Sequence, residues 1–425
     1  MADGDFSCFP YPLSAIRYYV MSAYSATIRC CYLGSFVQAV VINLAPVLFI
    51  PFKDQLGLTF EQLGRLILIN FVTQVIFDLA AGAVVGRLGV RRLVVGAHLL
   101  VTLGLWLFAW LPSILPSAYA GLVAGTVVFS IGGGILEMLL SPIINALPSD
   151  RKAADMSLMH SFYAWGQMTV ILLTALAVFL LPSGPWRWIA PFWSLFPALG
   201  AWGFSRAPLP PFVEEAQRHR LRELVRIPAF VAAMVGLALA GASEIAISQW
   251  ISAFADKALR FPKLLGDLGG VCLFAAALGV GRAWFGVAGH KVCVHRYLLA
   301  GAALAVVLYV TASLSPWPWL SLAACVMSGL AVSLFWPGLL SITAARFPQA
   351  GATMFAALSA SGDMGAAFAP WVVGWCADRV AVWGGGNVMG WSPEALGLRL
   401  GLLAAALFPL MLLILLRCSR RIANS

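Results

Sequence analysis

Asp78, Glu137, His160, Glu244, Arg282 and Asp363 all stand inside long apolar runs. An ionisable group in hydrocarbon costs about 2.5–3.5 kcal/mol on insertion scales, so each is expected to face a wet cavity or a partner. The chemistry open to such a set is proton transfer, hydrogen bonding to a polar solute, or charge pairing between helices. Glu137 follows Gly132-Gly133-Gly134 and precedes Pro142, which together allow close helix approach and free a backbone carbonyl. Burial disfavours the charged form of a carboxyl group, so Glu137 reads as a proton acceptor that also bonds a solute hydroxyl. A structural carboxyl bonded to a neighbouring helix is the competing reading. Glu244 has Ser248 one turn on, with Gln249 and Trp250 adjacent. Acid, amide and indole together suit a polyol, although interhelical bonding would use the same groups. Asn70, Gln74 and Asp78 recur every four residues, a polar stripe that either lines a water path or fastens helices together.

The elements that position these groups follow from composition. The 425-residue chain is 61% hydrophobic and only 10% charged, against about 25% charged in soluble domains. That excludes an ordinary soluble enzyme, a disordered protein and a nucleic-acid-binding domain. A net charge of +10 then reads as membrane orientation. Cys30, Cys31, Cys272, Cys325 and Cys376 lie in apolar runs, where cysteine acts as a small hydrophobe. No CxxC pair or His-rich tract suggests a metal, and no cofactor is expected.

A helix needs about 20 apolar residues to cross a bilayer. Twelve candidates fit, near 30–51, 61–86, 92–111, 118–146, 153–181, 187–205, 228–255, 266–289, 295–314, 318–344, 351–377 and 396–417. The expected fold is therefore all-α and polytopic, with twelve transmembrane helices in two six-helix bundles. Residues 1–25 read as a tail, 26–206 and 227–425 as the bundles, and 207–226 as a charged linker. With both termini and the even-numbered loops on one side, that side collects 18 Lys and Arg against 8, with Arg282 inside a span. Both termini are thus expected in the cytoplasm, and the protein in the plasma (inner) membrane. At about 1.5 Å per residue, the buried charges cluster near mid-bilayer, where transporters place solute and ion sites.

The halves repeat. A constant offset of 204 aligns Gly82 with Gly286, Arg87 with Lys291, Val90 with Val294 and Arg92 with Arg296, and it pairs Asp78 with Arg282. The GxxxGRxGxRR stretch at 82–92, its degenerate copy and the six-plus-six layout resemble the major facilitator superfamily. GGGILE at 132–137, HSFYAWG at 160–166 and GASE with QW at 241–250 look like its fucose:proton symporter and glucose transporter subfamily. The subfamily pairs a fourth-span Glu with a first-span Asp. Glu137 matches the former, while the first span carries Gln38 and Asn43, and Tyr163 stands where an Asn is expected. The superfamily resemblance also implies that the second span meets the eleventh, which holds Asp363, and that the fifth meets the eighth. His160 would then lie near Arg282, two charged contacts between halves suited to a gate.

Most of the sixteen tryptophans sit near span ends, where interface anchoring is the default. Trp165, Trp250 and Trp336 combine mid-span position with polar or helix-breaking neighbours and are candidate solute contacts. The expected activity is secondary transport, a proton-coupled uptake of a monosaccharide or similar polar solute by alternating access. The alternatives are a sodium-coupled carrier, an exporter of amphipathic compounds, or a solute sensor. A membrane enzyme is disfavoured because no nucleophile–base set is visible. Gln38, Asn43, Glu137, Tyr163, Trp165, Glu244, Gln249, Trp250 and Trp336 are the candidate solute contacts. Asp78, Glu137, His160, Glu244, Arg282 and Asp363 are the candidates for proton coupling or gating. The expected partners are a small solute, a coupling proton or sodium ion and the lipid bilayer, without nucleic acid. A monomer is the family expectation.

Overall fold

A computed structural model describes residues 24–423 apart from 59, 181–185, 212–220, 289–292 and 384–389. Most of the expected tail, the middle of the linker, His290, Lys291 and the glycines at 384–386 lie outside the described residues. The remainder is helical: α1 Ser25–Val47, α2 Gln62–Leu88, α3 Val90–Ile114, α4 Ala118–Ala146, α5 Lys152–Leu180 and α6 Trp186–Arg206. There follow α7 Pro228–Ala258, α8 Lys263–Ala288, α9 Val294–Leu314, α10 Pro318–Arg346, α11 Gly351–Trp383 and α12 Pro393–Cys418. Ten of these are long and apolar enough to cross a membrane, and α6 and α11 match them in length at 21 and 33 residues.

Local sequence sets the ends. Ser117 caps α4 by accepting from the Ala120 N–H at 3.3 Å, and Ser392 caps α12 in the same way from Ala395. Pro228 and Pro393 occupy the first helical turn, where a missing N–H is harmless. The turn from α2 to α3 needs a positive φ, which Gly89 supplies at 80°. One end differs from the sequence reading. The first span stops at Val47 and a separate short helix follows at Phe49–Leu56, because Pro46 and Pro51 each remove an N–H there. Arg65 lies inside α2 on an exposed face, within the expected second span.

Helix α2 is polar on its inner face and apolar outside, the inverse of a soluble helix. On α2, Leu68, Val72, Ile76 and Leu79 are 41–55% exposed, while Asn70, Gln74 and Asp78 on the opposite face are buried. Helices α1–α6 pack together, as do α7–α12. The halves meet where α2 packs on α11 and α5 on α8, with α4 against α11 and α5 against α10 beside them. The offset-related glycines sit at those seams: a Cβ on Gly82 would strike Ala356 of α11, and one on Gly286 would strike Leu158 of α5. At the same end, Arg151 Nη2 donates to the Gly286 and Val287 carbonyls at 2.8 and 2.9 Å.

The three successive glycines of α4 each face a different neighbour. Gly132 abuts the Ala97 carbonyl of α3, Gly133 the side chains of Val41 and Gln74, and Gly134 the Gln74 backbone of α2. Overpacking such a crossing costs about 1–3 kcal/mol or more. Gly134→Leu is expected to lower the thermal midpoint of the purified protein. Gly96→Ala, with open space around its Cβ position, should leave the midpoint unchanged or slightly raised.

Candidate functional site

Between the halves lies a small cavity. Gln38, Glu137, His160, Tyr163, Glu244, Arg282, Trp336 and Asp363 all contribute to its walls. Ser35, Ser141, Phe71 and Met159 join them, residues that do not stand out in an apolar run. Only Ser141 carried a signal, since it follows Glu137 by one helical turn and therefore shares its face.

Arg282 is the most connected side chain of the site. It is 2% exposed, and its Nη2 donates to Glu244 Oε2 at 2.6 Å. Its Nε donates to the Ser333 carbonyl at 2.9 Å, and Nη1 to the His160 carbonyl at 3.2 Å. The Ser333 acceptor is available for a definite reason. Pro337 stands four residues on and has no N–H to return to it, so α10 loosens at Ser333–Leu334 before resuming at Phe335. From the other half, the Ser157 hydroxyl donates to the Arg282 carbonyl at 2.8 Å, and the guanidinium lies 5.9 Å from the Tyr163 ring centre. One cation thus ties α8 to α5, α7 and α10.

Opposite it, Glu137 accepts from Gln38 Nε2, which also donates to Gln74 Oε1 at 2.8 Å. Gln74 Nε2 donates to Asn70 Oδ1 at 2.9 Å, and Ser130 donates to the same oxygen at 2.8 Å. The polar stripe of α2 is therefore a continuous chain of amides ending at Glu137, with Asp78 one turn beyond Gln74. Ser141 and His160 Nε2 are 3.2 Å apart on the cavity wall.

The cavity walls do not include Asn43, Trp165, Gln249 or Trp250. Asn43 donates to the Ala39 carbonyl at 2.9 Å, one turn back on its own helix, and its side chain lies beside Tyr163, behind the wall. Trp165 packs on Gly279 of α8 in the α5–α8 seam. The regular helix of α7 stops at Ser248, and the turn at Gln249–Trp250 carries the indole towards α11. There Trp250 Nε1 donates to the Pro370 carbonyl at 3.0 Å and the ring covers Gly374. The acid, amide and indole adjacent in sequence at Glu244–Trp250 therefore diverge. Asp78 is fully buried behind the wall, at the α2–α11 seam. Trp186, expected as an interface anchor, is 3% exposed and packs edge-on against Phe52.

Removing one member of a buried ion pair leaves the other charge uncompensated, at about 3–5 kcal/mol. Arg282→Gln and Glu244→Gln are each expected to lower thermal stability markedly. The double variant should lose clearly less than the sum, which a double-mutant cycle of thermal midpoints would measure.

Comparison with solved structures gives close overall matches at low identity. The fucose:proton symporter of E. coli, as a variant crystal structure, superposes with a TM-score of 0.70 at 16% identity, covering 92% of this chain and 99% of that one. The proton:xylose symporter XylE, bound to 6-bromo-6-deoxy-D-glucose, gives 0.75 at 14% identity, with 92% and 96% covered. A human organic anion transporter, MFSD10, gives 0.70 at 15%, with 92% and 99% covered. Comparison with curated protein sequences gives no match. The sequence profile of the Major Facilitator Superfamily matches residues 31–370, and the chain belongs to that family of membrane transporters.

Proposed function

We propose that the chain is a proton-coupled importer of a monosaccharide or a similar neutral, hydroxyl-rich solute. Its two halves, 26–206 and 227–425 joined by the linker 207–226, would rock about the central cavity. The observation that carries this reading is the composition of one set of walls. Three carboxyl groups meet amide, hydroxyl and imidazole groups beside the rings of Phe71, Tyr163 and Trp336. Carboxyl oxygens accept hydroxyl protons, the Gln38 amide orients Glu137, and aromatic faces cover the apolar side of a sugar ring. The only guanidinium on these walls is already engaged by Glu244. Acids outnumber cations there, which disfavours an organic anion as cargo.

In this reading Glu137 takes a proton when solute is loaded. Glu244 and Arg282 hold the C-terminal wall, and His160 with Asp78 and Asp363 belongs to the contact between halves. All twelve helices cross the plasma (inner) membrane, both termini are cytoplasmic, and the working unit is a monomer. Similarity in fold to sugar:proton symporters supports the class, and the arginine-rich side formed by the termini and even-numbered loops supports the orientation.

Counterflow in proteoliposomes with labelled fucose, xylose and glucose tests the proposal. At least one sugar should exchange, and it should accumulate under an inward proton gradient but not under a sodium gradient. Exchange of none of them would overturn the sugar assignment, and accumulation driven by sodium alone would overturn the proton. Glu137→Gln is expected to abolish accumulation while leaving exchange within about tenfold of the parent. Full accumulation by that variant would remove Glu137 from the coupling step.

A further inference from the structure

Asp78 is completely buried and Asp363 is 3% exposed. Their carboxyl groups are neighbours across the α2–α11 seam, where the two helices pack together. No donor among the other described residues reaches either oxygen of Asp78, or Oδ2 of Asp363. This differs from every other acid on the cavity walls, since Glu137 has Gln38 and Glu244 has Arg282. The charged groups facing the pair give it no counter-ion. From α4 comes Glu137, a like charge, and across the cavity from α7 and α8 come Glu244 and Arg282, already bound to each other. His98 of α3 is turned to Gly200 and Phe204 of α6, and Arg399 of α12 to the Ser313 and Ser315 carbonyls. On α1, Gln38 is committed to Glu137 and Gln74.

A carboxylate is acceptor-only, so two carboxyl groups can bond each other only if one of them carries a proton. Two ionised carboxylates in contact, away from water and cations, cannot both persist. We infer that Asp78 and Asp363 share one proton, and that this seam is a proton-binding site separate from the solute-facing Glu137.

The proton arrives from cavity water by way of Asp363, the member of the pair that also forms part of the cavity wall. It is held as an O–H of one carboxyl donating to an oxygen of the other, and it binds α2 to α11 while it stays. When it returns to water, two anions are left abutting, and their repulsion drives the seam apart. No other bond is made or broken. The inference deepens the proton-coupled reading, and it holds whatever solute is carried.

Infrared difference spectroscopy of the purified full-length protein in lipid, without solute, tests it. At neutral pH the parent protein should show the C=O band of a protonated carboxyl group. Asp78→Asn and Asp363→Asn should each remove the same one-carboxyl intensity, because the new amide N–H satisfies the remaining carboxylate. The double variant should remove no more than either single one, and Glu137→Gln should leave that component in place. Absence of any such band from the parent overturns the proposal, and this reading needs no variant to fold. Retention of the full band in both single variants, or twice the loss in the double variant, overturns it as well. The spectrum contains no sugar, so a failed sugar panel and a failed shared proton are separate results.

Discussion

A buried guanidinium at the cavity wall governs this molecule. A guanidinium is a fork of donors with no acceptor, so the helices around Arg282 must supply oxygen atoms. Glu244 supplies a carboxylate, His160 a backbone carbonyl, and α10 a carbonyl that only a proline four residues later could set free. The kink in α10 and the position of Trp336 beyond it follow from that requirement. The same contacts run from one half to the other, so the charge that organises the C-terminal bundle also registers it against the N-terminal one.

The two seams are built alike and charged differently. At related positions, Gly82 and Gly286 bring a helix of one half close to a helix of the other. One helical turn earlier stand Asp78 and Arg282, each reaching across its seam. Arg282 finds neutral acceptors and a carboxylate, a permanent tie. Asp78 finds another acid, so its tie depends on occupancy by a proton. A duplicated framework has thus diverged at one pair of positions into a fixed contact and a conditional one.

Much of the fold was legible because hydrocarbon is an unforgiving solvent. Runs of about twenty apolar residues have few alternatives to a spanning helix, and charges inside them stand out against that background. Glu137, Glu244, Arg282 and Asp363 could therefore be picked from sequence, and they line one cavity. What could not be read was direction. Trp250 looked like a neighbour of Glu244, but the regular helix stops at Ser248 and the indole swings to α11. Asn43 and Trp165 were visible as polar or aromatic intruders, yet nothing in their types shows that one bonds back to its own helix and the other fills a seam. Ser35, Phe71 and Met159 are ordinary residues in any helix, and only the arrangement of neighbours makes them walls.

The bond from Trp250 to the Pro370 carbonyl has a mechanical side. It fastens the broken part of α7 to the middle of α11, the long helix that also contacts α2 and α4 of the other half. A tilt of α11 therefore drags that outer fragment with it, as a crank moves a hinged rod. The loosened turns beyond, at Phe254–Ala258 and Gly266–Cys272, give the fragment room to follow without unwinding the helices on either side.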